Sequence, residues 1–279
     1  MSLIHWTDIT ANPIHIVRED GSNGGHFCNK VSLGCLHCFP EAQNQSSYFS
    51  FASHLPYAGK APKNLIFDDV VMEKLLRMRS GKKVFLCSMT DLFGEWVPDE
   101  WIDKAFVFML LAQQHTFQIL TKRPQRMQHY LSDPATIHRV TKKASDLMNL
   151  NCLSCWPLPN VWVGTSIENQ EVVDQRIPHL LNTPAVVRFL SCEPLLEKID
   201  LLEFLNHAIR QASRRSYLSG DFKQGTGDRF RRQYLEDCQE GLGQMDSTPL
   251  VEQLQSGTSR DEYCRLFTHQ SDVQQGGIS

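Results

Sequence analysis

Four short apolar runs constrain the fold more than any other feature of the chain. They are residues 83–89 (KVFLCSM), 116–121 (TFQILT), 161–165 (VWVGT) and 186–191 (VVRFLS). Each is dense in β-branched and aromatic residues and closes on small polar ones, as a short buried strand does. Helical spacing surrounds them. Residues 65–80 contain VVMEKLLRM. Residues 98–112 open on Pro and two acids suited to a first turn, and a further helix starts at Pro124. Residues 169–181 read as helix to about Arg176, where Pro178 is expected to interrupt or kink it. Strands alternating with helices imply βαβ units and a parallel sheet. Strands covered on both faces explain the near-continuous apolar runs.

The ends of the chain read differently. Residues 1–50 are rich in Gly, Asn, Ser and Cys and are expected to be mostly loop, with a turn at DGSNGG, residues 20–25. From residue 206 onward Gln, Ser, Arg and Gly dominate. No further strand is expected there, 220–227 and the terminal QQGGIS read as loop or disorder, and 229–240 suits a polar helix.

The 279 residues suffice for one barrel-like domain or two small ones, and a 41% hydrophobic content allows a sizeable core. A net charge of −3 gives no global basic field for nucleic acid. No apolar run approaches the ~20 residues that cross a bilayer, so no membrane association is expected. The opening MSLIHWTDITANP lacks a secretory pattern, and a cytoplasmic location is the expectation. Nine cysteines in a reducing compartment point to metal rather than disulfides.

Three of them lie in one loop: Cys28, Cys35 and Cys38 form a C-x6-C-x2-C run. Three local thiolates can converge on one inorganic centre, and soft sulfur selects zinc, copper(I) or iron–sulfur clusters. A four-iron cubane normally takes four cysteines, so three leave one iron open. Zinc is the rival, because Cys152-Leu-Ser-Cys155 is a second C-x2-C that would complete a four-cysteine set with Cys35 and Cys38. Cys155 or His37 would alternatively close the open iron as a fourth ligand. Cys87 and Cys192 sit in apolar runs and read as buried thiols. Trp96, Trp101 and Phe106 read as core. His5, His15 and His26 flank the loop without a ligand pattern.

With these motifs in view, the sequence resembles the phage gene-product thirty-seven/sixty-eight family, a domain of unknown function with radical-SAM-like character. The matching blocks are HWTDITANP at 5–13, CNKVSLGCLHCFPE at 28–41, KVFLCSMTDLFGEWVPDEWID at 83–103, QQHTFQILTKRPQRM at 113–127, WPLPNVWVGTSIENQ at 156–170 and RIPHLLNTPAVVRFLSCEPLL at 176–196. The chain differs in having Ala11 where the family has Trp, and Phe39-Pro40-Glu41 where it has Tyr-Ala-Glu. It also lacks a Gly-Gly-Glu-Ser-Gly-like turn after the fourth strand. The resemblance implies a partial (β/α) barrel of radical-SAM type over residues 1–205, truncated or divergent beyond, with 206–279 a polar tail, disordered or frameshifted.

It further implies a [4Fe-4S] cluster on Cys28, Cys35 and Cys38, with the amino and carboxylate groups of S-adenosylmethionine on the open iron. An electron from a donor such as flavodoxin or ferredoxin would break the cofactor's carbon–sulfur bond and give a 5′-deoxyadenosyl radical that acts on an unknown substrate. By analogy the polar strand ends would bind the cofactor: Ser88, Thr90 or Asp91 the amino group, Lys122 or Arg123 the carboxylate, Ser166 and Glu168 the ribose, and Glu193 the adenosyl moiety or substrate. Two other readings stay open. One is a non-enzymatic zinc- or iron–sulfur-binding phage or mobile-element protein. The other is a nucleic-acid role, resting on the basic knot of Lys122, Arg123 and Arg126.

Overall fold

The computed structural model describes residues 4–148, 156–204 and the backbone of 263–267. Cys152 and Cys155, the helix expected at 229–240 and the loops expected at 220–227 and the C-terminus lie outside these residues.

All four apolar runs are strands: β4 (Lys83–Leu86), β5 (Thr116–Thr121), β6 (Val161–Ser166) and β7 (Val187–Ser191). Together with β1 (Ile9–Ala11) they form a parallel sheet in the order β1-β4-β5-β6-β7. The fold is therefore mixed α/β with parallel strands flanked by helices. A further parallel strand, β8 (Tyr263–Phe267), adds to β7 and corrects the expectation of no strand beyond residue 206. The physical opening is the unpaired outer edge of β7, which accepts a strand-forming run. YCRLF was illegible because five residues carrying a central Arg give little periodicity. Among the described residues no pairing closes β8 onto β1, so barrel closure is not seen.

The helices pack on the sheet as their apolar spacing directs: α2 (Asp69–Arg77), α3 (Asp99–Leu111), α4 (Pro124–Ser132), α5 (Pro134–Met148) and α6 (Gln170–Asn182). Ile102, Phe106, Met109 and Leu110 of α3 are buried with Met127 and Leu131 of α4 and Val173, Ile177 and Leu180 of α6. They cover Val84, Leu86, Phe117, Ile119, Val163 and Leu190 from the strands. α6 runs on through Pro178, so the interruption expected there does not occur. Pro178 lies on the exposed side, where the Asp174 carbonyl it leaves without a helical donor can meet water, while Ile177 and Leu180 hold the helix to the core.

Besides β1, three elements fall where residues 1–50 and 65–80 gave no signal of them. β2 (Ile14–Ile16) pairs antiparallel with β3 (Leu65–Phe67), and α1 (Phe39–Gln45) follows the last cysteine of the loop. The β2–β3 ladder pins both ends of the segment 17–64, which carries all three loop cysteines. Val17 N–H donates to the Asn64 carbonyl at 3.0 Å and Asn64 Nδ2 returns a bond to the Val17 carbonyl at 2.7 Å. No helix among the described residues is long and apolar enough to cross a membrane.

Inside the sheet, Gly164 of β6 faces Phe189 of β7. A Cβ on Gly164 would stand 2.5 Å from the Phe189 ring, which is fully buried and packs on Trp6. Gly164→Ala is expected to destabilise the protein by about 1–3 kcal/mol through overpacking. Urea unfolding should show a lower midpoint with an unchanged m-value; an unchanged midpoint would contradict this packing.

Candidate metal centre

Parallel strands in register bring their C-terminal ends to one edge: Ala11 pairs with Leu86, Leu86 with Ile119, Thr121 with Thr165 and Ser166 with Ser191. The polar residues that follow β4, β5, β6 and β7 are thus neighbours along that edge. β4 ends at Leu86, three residues before the apolar run does, because Cys87 takes a left-handed backbone (φ 60°) and turns Ser88–Asp91 across the edge.

The cysteine loop is fastened to this edge at several points. Before Cys28, the Phe27 carbonyl accepts from the Thr90 hydroxyl at 2.5 Å, and the Phe27 ring meets Trp96 edge-on at 5.3 Å. After Cys28, the Asn29 carbonyl accepts from Arg123 at 3.2 Å. Arg123 is itself held by Asp91 (3.1 Å), by both oxygens of Glu95 and by the face of Trp96 at 4.7 Å. Next comes a 3-10 turn, Leu33–His37, in which Gly34 lies against the tips of Lys122 and Glu168; a Cβ there would stand 2.9 Å from Lys122 Nζ. Beyond Cys38, buried Glu41 accepts from Lys30 Nζ (2.8 Å) and the Tyr57 backbone N–H (2.9 Å), and the Tyr57 hydroxyl donates to the Met89 carbonyl at 2.6 Å. Asn44, fully buried, exchanges bonds with the His26 backbone and donates to Ser53 and Leu55. Both flanks of the loop therefore meet at one side chain.

Cys35 is buried, and Cys28 and Cys38 are half-buried; all three are free thiols. They lie within electrostatic reach of one another, since ionisation of Cys28 is opposed by both others. Their surroundings differ. Burial, then the Asp91 charge, pushes the Cys28 thiol pKa up. Burial raises Cys38 against a bond from the Glu41 backbone. Burial also works against a Cys35 thiolate, yet the Val31 and Ser32 backbone bonds and the Lys122 ammonium together outweigh it, and its pKa falls. Among the described residues no group of His, Cys, Asp or Glu side chains closes around a single metal ion. Tetrahedral zinc draws its sulfurs to one point at ~2.3 Å, whereas a cubane takes one thiolate per iron. Three free thiols on one loop are the donor set that a cubane with one open iron would take.

The structure brings the expected edge residues together, in different circumstances. Ser88 is buried and bonded to Asn12 at 3.1 Å. Thr90 holds the loop. Asp91 accepts from Phe93 N–H, the Thr121 hydroxyl, Lys122 N–H and Arg123. Ser166 is buried, and its carbonyl accepts from Arg176 at 2.8 Å. Glu168 is fully buried, with one oxygen on Lys122 (3.3 Å) and the other on Arg176 (3.1 Å). Of the described edge residues expected to bind the cofactor, Glu193 is the one that keeps a buried oxygen, Oε1, without a partner. The basic knot is committed internally: Arg126 bonds to Asp99 and to the Gly94 and Val97 carbonyls, and Lys122 and Arg123 are paired as above. Cys87 and Cys192 are buried as expected, and burial pushes the Cys192 thiol up to about 12. Phe106 is buried core, Trp101 packs against the core, and Trp96 is also an anchor of the loop. His15 pairs with Asp68 at 3.1 Å, and burial drops His26 to about 4.

Sequence reasoning missed Gly34, Glu41, Asn44, Tyr57 and Arg176. Only the position of Gly34 inside the cysteine run was a usable signal; the others act across chain separations that no motif marks. A parallel α/β sheet crossed at its C-terminal edge by a three-cysteine loop defines the class of this protein. Residues 1–216 match the family described as Protein of unknown function (DUF5131), and the chain belongs to that family. No curated protein and no solved structure matches it.

Burial raises Glu193 to about 7. Its folded-state pKa lies above the unfolded one. The unfolded chain therefore releases this proton first, and stability falls as pH rises from about 4.5 to about 7. After discounting for partial exposure the loss is about 1–3 kcal/mol. Glu193→Gln should remove it, so the variant gains on wild type between pH 4.5 and pH 8 in urea unfolding. An equal difference at both pH values would contradict the assignment.

Proposed function

We propose that this chain is an iron–sulfur protein of radical-SAM type, as its resemblance to the phage family implies. In this reading Cys28, Cys35 and Cys38 hold a [4Fe-4S] cluster and S-adenosylmethionine takes the free iron. One observation carries it: a single loop fastened to the C-terminal edge of a parallel sheet carries three free thiols. Ligand groups collect at that edge in α/β folds. When bound, the cluster and cofactor supply reductive cleavage of a carbon–sulfur bond, with electrons from a flavodoxin- or ferredoxin-class donor and an as yet unidentified substrate as acceptor of the radical chemistry.

The chain's own residues bind and orient. Lys122, whose side chain is partly exposed, is the cation that meets the cofactor's carboxylate in this reading. Glu193 brings an unpartnered oxygen to the end of β7, where it can accept from an amine or hydroxyl or, protonated, donate. Ser88 and Asn12 form a neutral polar pair at the end of β4. Thr90, Asp91 and Arg123 act one step back, by fixing the backbone on either side of Cys28.

Anaerobic reconstitution tests the reading. Wild type should turn brown with a broad band near ~400 nm and should form 5′-deoxyadenosine from S-adenosylmethionine with dithionite. Alanine at Cys28, Cys35 or Cys38 should abolish the colour, and alanine at Cys87 or Cys192 should not. A colourless, folded protein that keeps zinc, and loses it with Cys152→Ala/Cys155→Ala, would replace this reading with the zinc module.

A further inference from the structure

The charges beneath the cysteine turn do not balance. Glu168 is completely buried and touches two cations, Lys122 through Oε1 and Arg176 through Oε2. Arg176 is itself buried, and its Nη1 also donates to the Ser166 carbonyl. One carboxylate against two cations leaves this contact group with a net positive charge, shared between buried Arg176 and the partly exposed Lys122, beside the Asp91 carboxylate that accepts from the Lys122 backbone N–H. Fold stability does not call for such a group, because buried ion pairs are often matched or bettered by apolar side chains of similar volume. A surplus cation calls for an anion close by.

The cysteine turn lies directly on this group. A Cβ on Gly34 would fall 2.9 Å from Lys122 Nζ, 3.0 Å from Glu168 Cδ and 3.1 Å from its Oε1. Only glycine lets the backbone approach so closely, and the next residue is Cys35, the most buried of the three loop cysteines. The opposite end of the loop has no such surplus: Cys28 faces the Asp91–Arg123 pair, with Glu95 on the same guanidinium. The three thiols are therefore inequivalent, and the excess cation sits under one of them.

We infer that Arg176, Glu168 and Lys122 form a charged seat that fixes the Cys35 turn through Gly34 and offsets the negative charge of the metal centre Cys35 holds. Arg176 is the positioning residue at its base, since it ties Glu168 to the β6 backbone. The inference rests on the iron–sulfur reading and adds to it a cause for the centre's placement and redox poise. Partners of metal ligands of this kind typically change metal retention by about 10–100-fold when removed.

The experiment compares wild type with Arg176→Gln, Arg176→Lys, Lys122→Met and Gly34→Ala. All are reconstituted anaerobically, with circular dichroism and Tm of the metal-free proteins as the control for folding. Iron per chain, the rate of iron loss to a chelator, and the midpoint potential from a redox titration followed by electron paramagnetic resonance are read for each. Arg176→Gln and Lys122→Met each remove a positive charge, so the potential should move to more negative values and iron loss should quicken about tenfold. Arg176→Lys should recover most of the potential. Gly34→Ala keeps every charge and should lower iron content by displacing Cys35. If Arg176→Gln does not fold, Lys122→Met, whose side chain is partly exposed, carries the test alone. Wild-type potential and chelator resistance in a folded charge-removing variant would overturn the inference and leave the iron–sulfur reading standing. A wild type that takes up no cluster would overturn that reading, and the inference with it.

Discussion

Gly34 resting on the Lys122–Glu168 ion pair is the contact on which the proposed centre depends. Of the loop's fastenings, it is the one that lies directly against the turn that bears Cys35. Two conditions make the contact possible. The strands must be parallel, so that the ends of β5 and β6 deliver Lys122 and Glu168 to the same edge. The residue at 34 must also have no side chain, because a methyl group would enter the space held by the ammonium and the carboxylate.

Around this contact the polar residues of the edge divide into two sets. Thr90, Arg123, Glu41 and Asn44 have their donors and acceptors turned toward the loop and its flanks, where they replace the water that an irregular backbone would otherwise need, and Asp91 holds Arg123 in place. Lys122 and Glu193 are less fully committed, one by partial exposure and the other by an unpartnered oxygen. A motif cannot separate the two sets, since both consist of polar residues just after apolar strands. Only the bonding in three dimensions distinguishes a residue that builds the site from one that is left to meet a ligand.

The same division explains what was legible in the sequence. The four long strands and the helices α2, α3, α4 and α6 announced themselves because burial on both faces of a sheet leaves dense apolar runs. The cysteine spacing announced the loop. β2 and β3 were illegible because three residues each carry no period, yet they pin the loop's base. α5, packed on α3 through Asp103 and Arg139, carried a pattern that went unread between Pro134 and the second cysteine pair. α6 passed a proline because that position faces solvent, which a rule about helix interiors does not foresee. Asn44 and Arg176 were illegible because their bonds depend on how neighbouring segments fold back on each other, and Tyr57 because the partner of its hydroxyl, Met89, lies far along the chain.

The most direct test of the central claim is the Mössbauer spectrum of protein reconstituted with iron-57, recorded before and after adding S-adenosylmethionine. Three protein sulfurs around a four-iron centre require one iron to differ from the rest, and its signal should change when the cofactor binds. Four equivalent cysteine-ligated irons that ignore the cofactor, or no cluster at all, would contradict the account.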